Sequence, residues 1–469
     1  MAGPLAPSQR EKGLARLGLV LANWSERWFP DPLVFALLAV VVVFAGGVLA
    51  GEHPQKLAIE AGKSFWSLVP FTMQMAMVIV GGYVVASTPL VHRGIDLVAA
   101  QPRTPRTAVA WVALFSMLTS LISWGLSLIF SGLLVRAMAR RIPRLDYRAA
   151  GAAAYLGLGV VWALGLSSSA AMLMATRSSM PAALYEVTGL IPLTQTLFLW
   201  QSLTMAAILI AAAVTVAYRS APSASQARTA RDYKLDLTES PADQTKPTRP
   251  AETLEYSPIL VILVVVVLLA YLVDVFRTSP QGALAALDLN TYNLIFLTMG
   301  LLLHGRPRNF IRAVTECIPA TGGVLIQFPF YAMVFGMIAN TGLSGKLAAL
   351  FEHISTPGTY PLLVAVYSAV LGLFVPSGGS KWIIEAPYVM KTAIAHQVHL
   401  GWVVQIYNAS EALPNLVNPF WMLPLLGILK IRARDLVGYG MLQLMVQAPL
   451  VFFLCWMLAR TVPFVSPLK

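Results

Sequence analysis

Apolar residues fill most of this chain in long runs that short polar segments separate. A helix needs roughly 20 apolar residues to cross a bilayer, so the pattern predicts an all-α polytopic membrane protein with about nine crossings. The predicted crossings are 32–50, 65–91, 149–180, 193–218, 257–276, 290–304, 319–340, 402–430 and 436–459.

Two further apolar segments, 107–135 and 359–390, are interrupted by glycine and serine. Broken backbone at membrane depth is stable only where it lines a protein cavity, because lipid cannot satisfy free N–H and C=O groups. We therefore predict two re-entrant hairpins whose tips bind a ligand; the alternative is that small residues only permit tight helix packing. The residues assigned to substrate binding are Ser123, Trp124, Gly125 and Ser127 in the first tip, and Ser377, Gly378, Gly379, Ser380 and Lys381 in the second.

The crossing that follows each interrupted segment is predicted to be broken. Half-helix N-termini can bind an anion, and freed carbonyls or Asn oxygens can bind Na⁺. Pro414 and Pro419 remove helix hydrogen bonds in the second crossing. We assign Ser167, Ser168, Ser169, Asn415 and Asn418 to substrate binding, and Asn408 and Glu411 to coupling with H⁺ or Na⁺. Glu411 has a second interpretation as a structural partner of Lys381 or of an arginine.

Lys381 is the one lysine in a predicted hairpin tip. An ionisable residue at membrane depth is costly unless it is paired or faces water, so function is the default hypothesis. It can attract an organic anion as a point charge. Alternatively, the side chain extends from a shallower tip to the interface.

The two apolar halves resemble a diverged repeat. The hairpin and the broken helix recur at a nearly constant offset, and one additional crossing between the halves would invert the second copy. The alternative is chance similarity between apolar segments. The predicted organisation is a cytoplasmic N-terminal segment (1–30), a first repeat (31–218), a disordered cytoplasmic linker (219–257), a linking transmembrane helix (258–276) and a second, inverted repeat (277–469).

The formal net charge of +12 describes topology rather than a nucleic-acid partner. Arginine and lysine concentrate on one side of the predicted crossings, which orients that side and the N-terminus to the cytoplasm. Two cysteines and the pair His396 and His399 match no metal spacing, so we expect no metal and no cofactor. The expected partners are the bilayer and a small organic anion. The arginine- and lysine-rich segments that are assigned to the cytoplasmic side are 10–27, 93–106, 136–148, 219–249, 306–312 and 430–434.

The chain resembles the bacterial short-chain fatty acid transporter family, of the acetoacetate/butyrate permease type. The specific passages are Phe-Val-Pro-Ser-Gly-Gly at 374–379 with Trp382, Leu-Ile-Gln-Phe-Pro-Phe-Tyr at 325–331, Asn-Pro-Phe-Trp at 418–421, 135–143 and 189–192. The resemblance implies uptake of short-chain carboxylates across the inner membrane and an elevator-like movement of a hairpin domain. Ser380, Lys381 and Ser168 depart from the family pattern, and the added cation favours a dicarboxylate or another acid.

These observations favour a secondary carrier for small organic acids over two alternatives. An intramembrane serine hydrolase or acyltransferase that uses Ser167 and His396 needs both side chains at one depth, whereas the topology places the histidines near membrane faces. A passive anion channel would not require two gated hairpins. By analogy with related architectures, we expect a homodimer that forms through a scaffold.

Overall fold

The computed structural model describes residues 14, 16, 17, 20, 32–67, 69–175, 182–237, 249–279, 286, 289–343, 346, 349, 353–374 and 378–465. Within these ranges the chain is helical, without strands. The helices are α1 (Pro32–Leu49), α2 (Pro54–Ser64), α3 (Val69–Ala86), α4 (Pro89–Ala99), α5 (Pro105–Ile122), α6 (Trp124–Arg141), α7 (Tyr147–Leu156), α8 (Ser169–Ala175), α9 (Ala182–Thr188) and α10 (Trp200–Ser220). They continue as α11 (Pro250–Tyr256), α12 (Pro258–Thr278), α13 (Leu289–His304), α14 (Pro307–Ala339), α15 (Tyr360–Phe374), α16 (Gly378–Ala395), α17 (Leu400–Ala412), α18 (Leu423–Leu429) and α19 (Ala433–Ala459).

Six of the described helices are long and apolar enough to cross a membrane. A seventh span is added if the segment Thr72–Ala86 and the helix Pro89–Ala99, which are inclined at 76°, count as one bent crossing. The multi-pass, all-helical class predicted from the sequence is therefore confirmed, whereas nine crossings remain a prediction. The six are Pro105–Ile122, Tyr147–Ala175, Trp200–Ser220, Pro258–Thr278, Pro307–Ile338 and Ala433–Ala459.

Each interrupted segment forms two antiparallel helices. The first hairpin consists of α5 and α6, and Ser123 ends one helix and caps the other. The second hairpin consists of α15 and α16, whose partner residues run in opposite directions, from Tyr360 with Val389 to Ser368 with Glu385. Helix α5 is itself long enough to span, so the re-entrant course of the hairpins stays a prediction.

A broken helix follows each hairpin, as the sequence predicts. Helix α7 passes through a π-turn at Gly157–Val161 and a 3₁₀ turn at Trp162–Leu164 before α8 starts at Ser169. Helix α17 passes into a 3₁₀ turn at Leu413–Leu416, where Pro414 has no N–H to continue the helix. Both halves of the chain thus have the order hairpin, broken helix, long helix, ending with α10 and α19 respectively. This order agrees with a repeat, and its inversion stays a prediction.

The helices pack as two groups. Helices α4–α10 and α15–α19 share the largest core, in which most of α7 and α17 is fully buried. Helices α1–α3, α13 and α14 form the second group around a smaller core. The two groups meet where Ile129 of α6 and Ile428 of α18 enter the smaller core. We call them the hairpin group and the flanking group.

Part of the linker is ordered, which corrects the prediction that 219–257 is disordered throughout. Residues 221–237 cross the ends of four helices of the hairpin group. Their backbone amides and carbonyls form hydrogen bonds with side chains at those helix ends. Arg106 of α5 donates to the Ala221 carbonyl at 3.3 Å. Asp146, which caps α7, accepts from the Arg228 amide at 3.0 Å. A polar segment can thus be ordered without an apolar core of its own.

Tyr233 provides a test of this packing. Its hydroxyl donates to Asp435 Oδ1 at 2.9 Å, and burial together with that carboxylate raises the pKa of Tyr233, so it stays a donor. Tyr233→Phe should lower the free energy of unfolding by about 1.5–3 kcal/mol, because hydrogen bonds to charged groups contribute in this range. Thermal unfolding in detergent and proteolysis within 221–237 measure the effect. Tyr218→Phe, at an exposed tyrosine of α10, is the control; equal stability of both variants would contradict the ordered linker.

Candidate functional site

The two hairpin tips meet at the break of the first broken helix. In the first tip, the Trp124 amide donates to Ser167 Oγ at 2.9 Å, and that hydroxyl donates to the Ser120 carbonyl at 2.8 Å. In the second tip, Gly379 lies beside Ser169, so that a Cβ on the glycine would stand 3.4 Å from Ser169 Cβ. The residues at 167–169 therefore touch both tips, which the sequence predicted only as separate breaks.

The remaining residues of the first tip hold it together. Ser123 Oγ accepts from the Leu126 amide and hydrogen-bonds the hydroxyl of Tyr292 on α13. Ser127 Oγ donates to the Ser116 carbonyl on the opposite arm at 2.6 Å. Gly125 packs against α3. The ring of Trp124 lies 5.3 Å from that of Trp421, next to Phe328. The sequence-based assignment missed Tyr292, although it lies in a predicted crossing.

The second tip is only partly described. Ser377 lies outside the described residues, and Ser380 belongs to the described helix without its side chain. Gly378 packs against the ring of Trp162, and its carbonyl accepts from the hydroxyl of Tyr407 at 2.6 Å. The sequence-based assignment missed Trp162, for which the only signal was its place three residues before Gly165 of the break.

Gly378 is expected to be more sensitive to substitution than Gly379. A Cβ at Gly378 would stand 2.6 Å from Trp162 Cη2, whereas one at Gly379 meets an ordinary contact at 3.4 Å. Gly378→Ala should therefore destabilise the tip by about 1–3 kcal/mol, the usual cost of overpacking. Gly379→Ala is the matched control with a smaller effect. Thermal unfolding and transport of both variants measure the difference, and identical behaviour would contradict this packing.

The asparagines and Ser168 join the broken helices to each other and to the second hairpin. Ser168 Oγ donates to Asn408 Oδ1 at 3.1 Å. Asn415 Nδ2 donates to the Leu158 carbonyl at 3.1 Å, and Asn418 Nδ2 to the Leu373 carbonyl at 3.4 Å. These residues lie near the tips, and their amides contact protein groups.

The second hairpin and the second broken helix enclose an ionic cluster. Lys381 Nζ contacts Glu411 Oε2, lies 3.5 Å from Glu385 Oε1 and donates to the Ser368 carbonyl at 2.7 Å. The Ser368 hydroxyl donates to Glu385 Oε2 at 2.9 Å, and the ammonium stands 4.8 Å from the ring centroid of Tyr407. The Lys381 and Glu385 side chains are fully buried, and that of Glu411 is 3% exposed.

The cluster decides between interpretations that the sequence left open. Lys381 does not extend to an interface, because its side chain is enclosed by protein. Glu411 is a direct partner of Lys381, which is the second interpretation given for it above. Glu385 is one helical turn from Lys381, so its spacing was visible in the sequence. The contribution of Ser368 was missed, because nothing in the sequence pairs it with Lys381.

The serine and histidine of the enzyme alternative have other partners. Ser167 is engaged by Trp124 and Ser120 within the first break. His396 Nε2 lies 3.4 Å from Ser355 Oγ, and its ring packs against Tyr360 beyond the second hairpin. Among the described residues, no group of three His, Cys, Asp or Glu side chains could hold a metal ion.

Comparison with known proteins gives the chain a family. A family model described as short chain fatty acid transporter matches residues 13–458. A relative from Escherichia coli (strain K12) is 33% identical over 429 residues, which are 91% of this chain and 96% of that protein. A relative from Haemophilus influenzae (strain ATCC 51907 / DSM 11121 / KW20 / Rd) is 32% identical over 445 residues, 93% of this chain and 98% of that protein. The name of each relative describes it as an inferred short-chain fatty acid transporter.

Two solved structures are also similar to this chain. The Alcanivorax borkumensis YdaH transporter, described as having an unusual topology, gives a TM-score of 0.46 at 14% identity, covering 92% of this chain and 98% of that one. Neisseria gonorrhoeae MtrF, described with a class of antimetabolite efflux pumps, gives a TM-score of 0.46 at 12% identity, covering 96% of this chain and 98% of that one.

Proposed function

Because the chain belongs to the short-chain fatty acid transporter family, we propose that it takes up short-chain carboxylates such as acetoacetate or butyrate across the bacterial inner membrane. The proposed mechanism is secondary active transport, coupled to H⁺ or Na⁺. The family and both relatives are transporters rather than enzymes.

The charge balance of the buried cluster is the observation that carries the coupling proposal. Lys381 supplies one cation, whereas Glu385 and Glu411 supply two carboxylates. A net charge in the interior costs several kcal/mol, which pairing and hydrogen bonds must offset. One bound proton makes the cluster neutral. A sodium ion would supply the same charge but would stand beside the ammonium of Lys381, so we favour H⁺.

Glu411 is the proposed proton carrier. It lies on α17, whereas the other two charges lie on α16, so its protonation changes the contact between the second hairpin and the second broken helix. Asn408 lies one helical turn before Glu411 and hydrogen-bonds Ser168 of the first break. The coupling group and the tip region are thus joined by one short chain of contacts.

We place the substrate carboxylate where α16 begins, at Gly378 and Gly379. An 18-residue helix presents amide N–H groups and a positive dipole end there. The nearby indole N–H groups of Trp162 and Trp382 are buried donors without a hydrogen-bond acceptor among the described residues. A buried donor without an acceptor costs free energy that a carboxylate oxygen would recover. In this arrangement Lys381 serves the coupling group rather than the substrate.

Alternating access is proposed to follow from movement of the hairpin group against the flanking group. The hairpin group contains both tips, both broken helices and the ionic cluster, so a rigid shift would carry the whole site. The flanking group would remain as a scaffold, through which a homodimer would form.

Uptake into proteoliposomes tests the proposal. Purified chain should take up labelled butyrate or acetoacetate with saturation, and an inward proton gradient should drive accumulation above the external concentration. A sodium gradient in place of the proton gradient is the comparison for the coupling ion. A passive channel would equilibrate the acid without accumulation, and an enzyme would release a modified product. Absence of uptake for every short acid would refute the carrier.

A further inference from the structure

A large cavity opens between the hairpin group and the flanking group, away from the hairpin tips. Its volume is about 910 Å³. One wall comes from α4 and the ends of α6 and α18, and the other from α3, α13 and the start of α14. Helices from both groups end at this level, at the face that the arginine and lysine pattern predicts to be cytoplasmic.

The lining of this cavity carries more positive than negative charge. Its acidic residues are Asp96, Asp236 and Glu316, and its basic residues are Arg93, Arg136, Arg140, Arg312 and Lys430. Of these acids, Asp96 forms an ion pair at 3.3 Å with Arg141, which lies outside the cavity. The basic side chains of the lining therefore outnumber the acidic side chains that can neutralise them within the cavity.

Two of these arginines are held in place on opposite walls. Arg136 of α6 donates to the carbonyls of Ile428 at 3.4 Å and Asp236 at 3.0 Å. Arg312 of α14 stands 3.9 Å from Glu316. A guanidinium carries five N–H donors in a planar fork whose geometry matches phosphate oxygens, so two arginines on facing walls suit a phosphate group.

Apolar side chains around the cavity indicate how a ligand could approach. Leu90, Leu97 and Ile311 are 56–69% exposed and lie within two residues of lining residues. In a membrane such side chains contact acyl chains at the level where the headgroups begin. Basic pockets between helices at the cytoplasmic side bind anionic headgroups for this reason.

We propose that this cavity is a binding site for a phosphate-bearing anion, recognised by Arg136 and Arg312 across the boundary of the two helix groups. The phosphate could come from an anionic phospholipid headgroup or from a soluble phosphate ester. A ligand in contact with both walls holds the two groups in one relative position, so its binding regulates any movement between them.

Binding to the purified full-length chain tests the site without any transport measurement, so this inference and the proposed carrier function fail independently. Phosphatidylglycerol in detergent micelles should bind about tenfold or more tightly than phosphatidylcholine. Arg136→Gln combined with Arg312→Gln should remove this preference. Arg308→Gln is the matched control, because Arg308 lies one turn from Arg312 but pairs with Glu255 outside the cavity.

Competition separates the two sources of the phosphate. Displacement of phosphatidylglycerol by inorganic phosphate, at constant ionic strength, supports access from solution; retention supports the lipid headgroup. If inorganic phosphate binds and phosphatidylglycerol does not, the source is soluble.

Displacement by butyrate as effective as that by phosphate would assign the cavity to the substrate path and overturn the inference. Two other results would also overturn the inference. One is equal binding of both lipids together with absence of phosphate binding, and the other is unchanged binding in the double variant. Arg312→Gln alone, at a side chain that is 36% exposed, replaces the double variant if that protein does not fold.

Discussion

Glu411→Gln is expected to abolish accumulation of substrate while leaving exchange intact. Glutamine keeps the shape of the side chain but cannot gain or lose the proton that neutralises the cluster. An inward gradient of one pH unit stores about 1.4 kcal/mol, so a one-to-one symporter can concentrate its substrate about tenfold. In the variant the accumulation ratio should fall to that of vesicles without protein under the same pH gradient. Uptake of labelled butyrate into proteoliposomes under an imposed pH gradient measures this ratio.

Counterflow distinguishes lost coupling from lost binding. Vesicles loaded with unlabelled butyrate should still exchange it for labelled butyrate through the Glu411→Gln variant, because the proposed substrate contacts at Gly378 and Gly379 are unchanged. Glu186→Gln, at an exposed glutamate of α9, is the control and should accumulate like the unmodified chain. Proton-driven accumulation by Glu411→Gln would rule out Glu411 as the carrier.

Lys381→Met is expected to cause the largest loss of stability. Removal of the ammonium leaves two carboxylates together in the interior, and breaking a buried ion pair from one side costs about 3–5 kcal/mol. Methionine fills a similar volume, so the loss arises from charge rather than from a cavity. Thermal unfolding in detergent, with the fraction of monodisperse protein, gives the measurement. Lys391→Met on the exposed side of the same helix is the matched control.

A triple variant tests whether charge is the cause. Lys381→Met combined with Glu385→Gln and Glu411→Gln contains no charge in the cluster. Replacing a whole buried ionic group by neutral residues is often close to neutral in stability, so the triple variant should regain most of the loss. It should still lack proton-driven accumulation. A triple variant as unstable as Lys381→Met would show that packing, not charge balance, makes the lysine necessary.

The fold class and the places where helices break could be predicted from sequence alone. Long apolar runs require membrane crossings, and glycine, serine and proline within such runs interrupt helices for local reasons. The junction at Ser123, the break before Ser169 and the turn at Pro414 accordingly lie where the pattern placed them. Disorder of the whole linker was wrong for residues 221–237, because hydrogen bonds such as that of Tyr233 depend on helix ends distant in sequence.

The chemistry of the site was predictable residue by residue, whereas only one of its pairs, Lys381 with Glu411, was proposed from sequence, as one of two interpretations of Glu411. Lys381 and Glu411 were both conspicuous as charges within apolar segments, because a buried charge needs a partner. Which partner it has depends on how α16 packs against α17. The same holds for Ser168 with Asn408 and for Ser123 with Tyr292, which are 240 and 169 residues apart.

The sequence by itself determined that this chain lies in a membrane, where its helices break and which charges the interior must accommodate, because hydropathy, backbone chemistry and the cost of burying a charge act locally. Only the tertiary structure decided that both tips meet at residues 167–169, that Lys381 stands between two glutamates, and that a basic cavity separates two helix groups. These are properties of packing between distant segments, whose free energy depends on many contacts at once and leaves no local pattern in the chain.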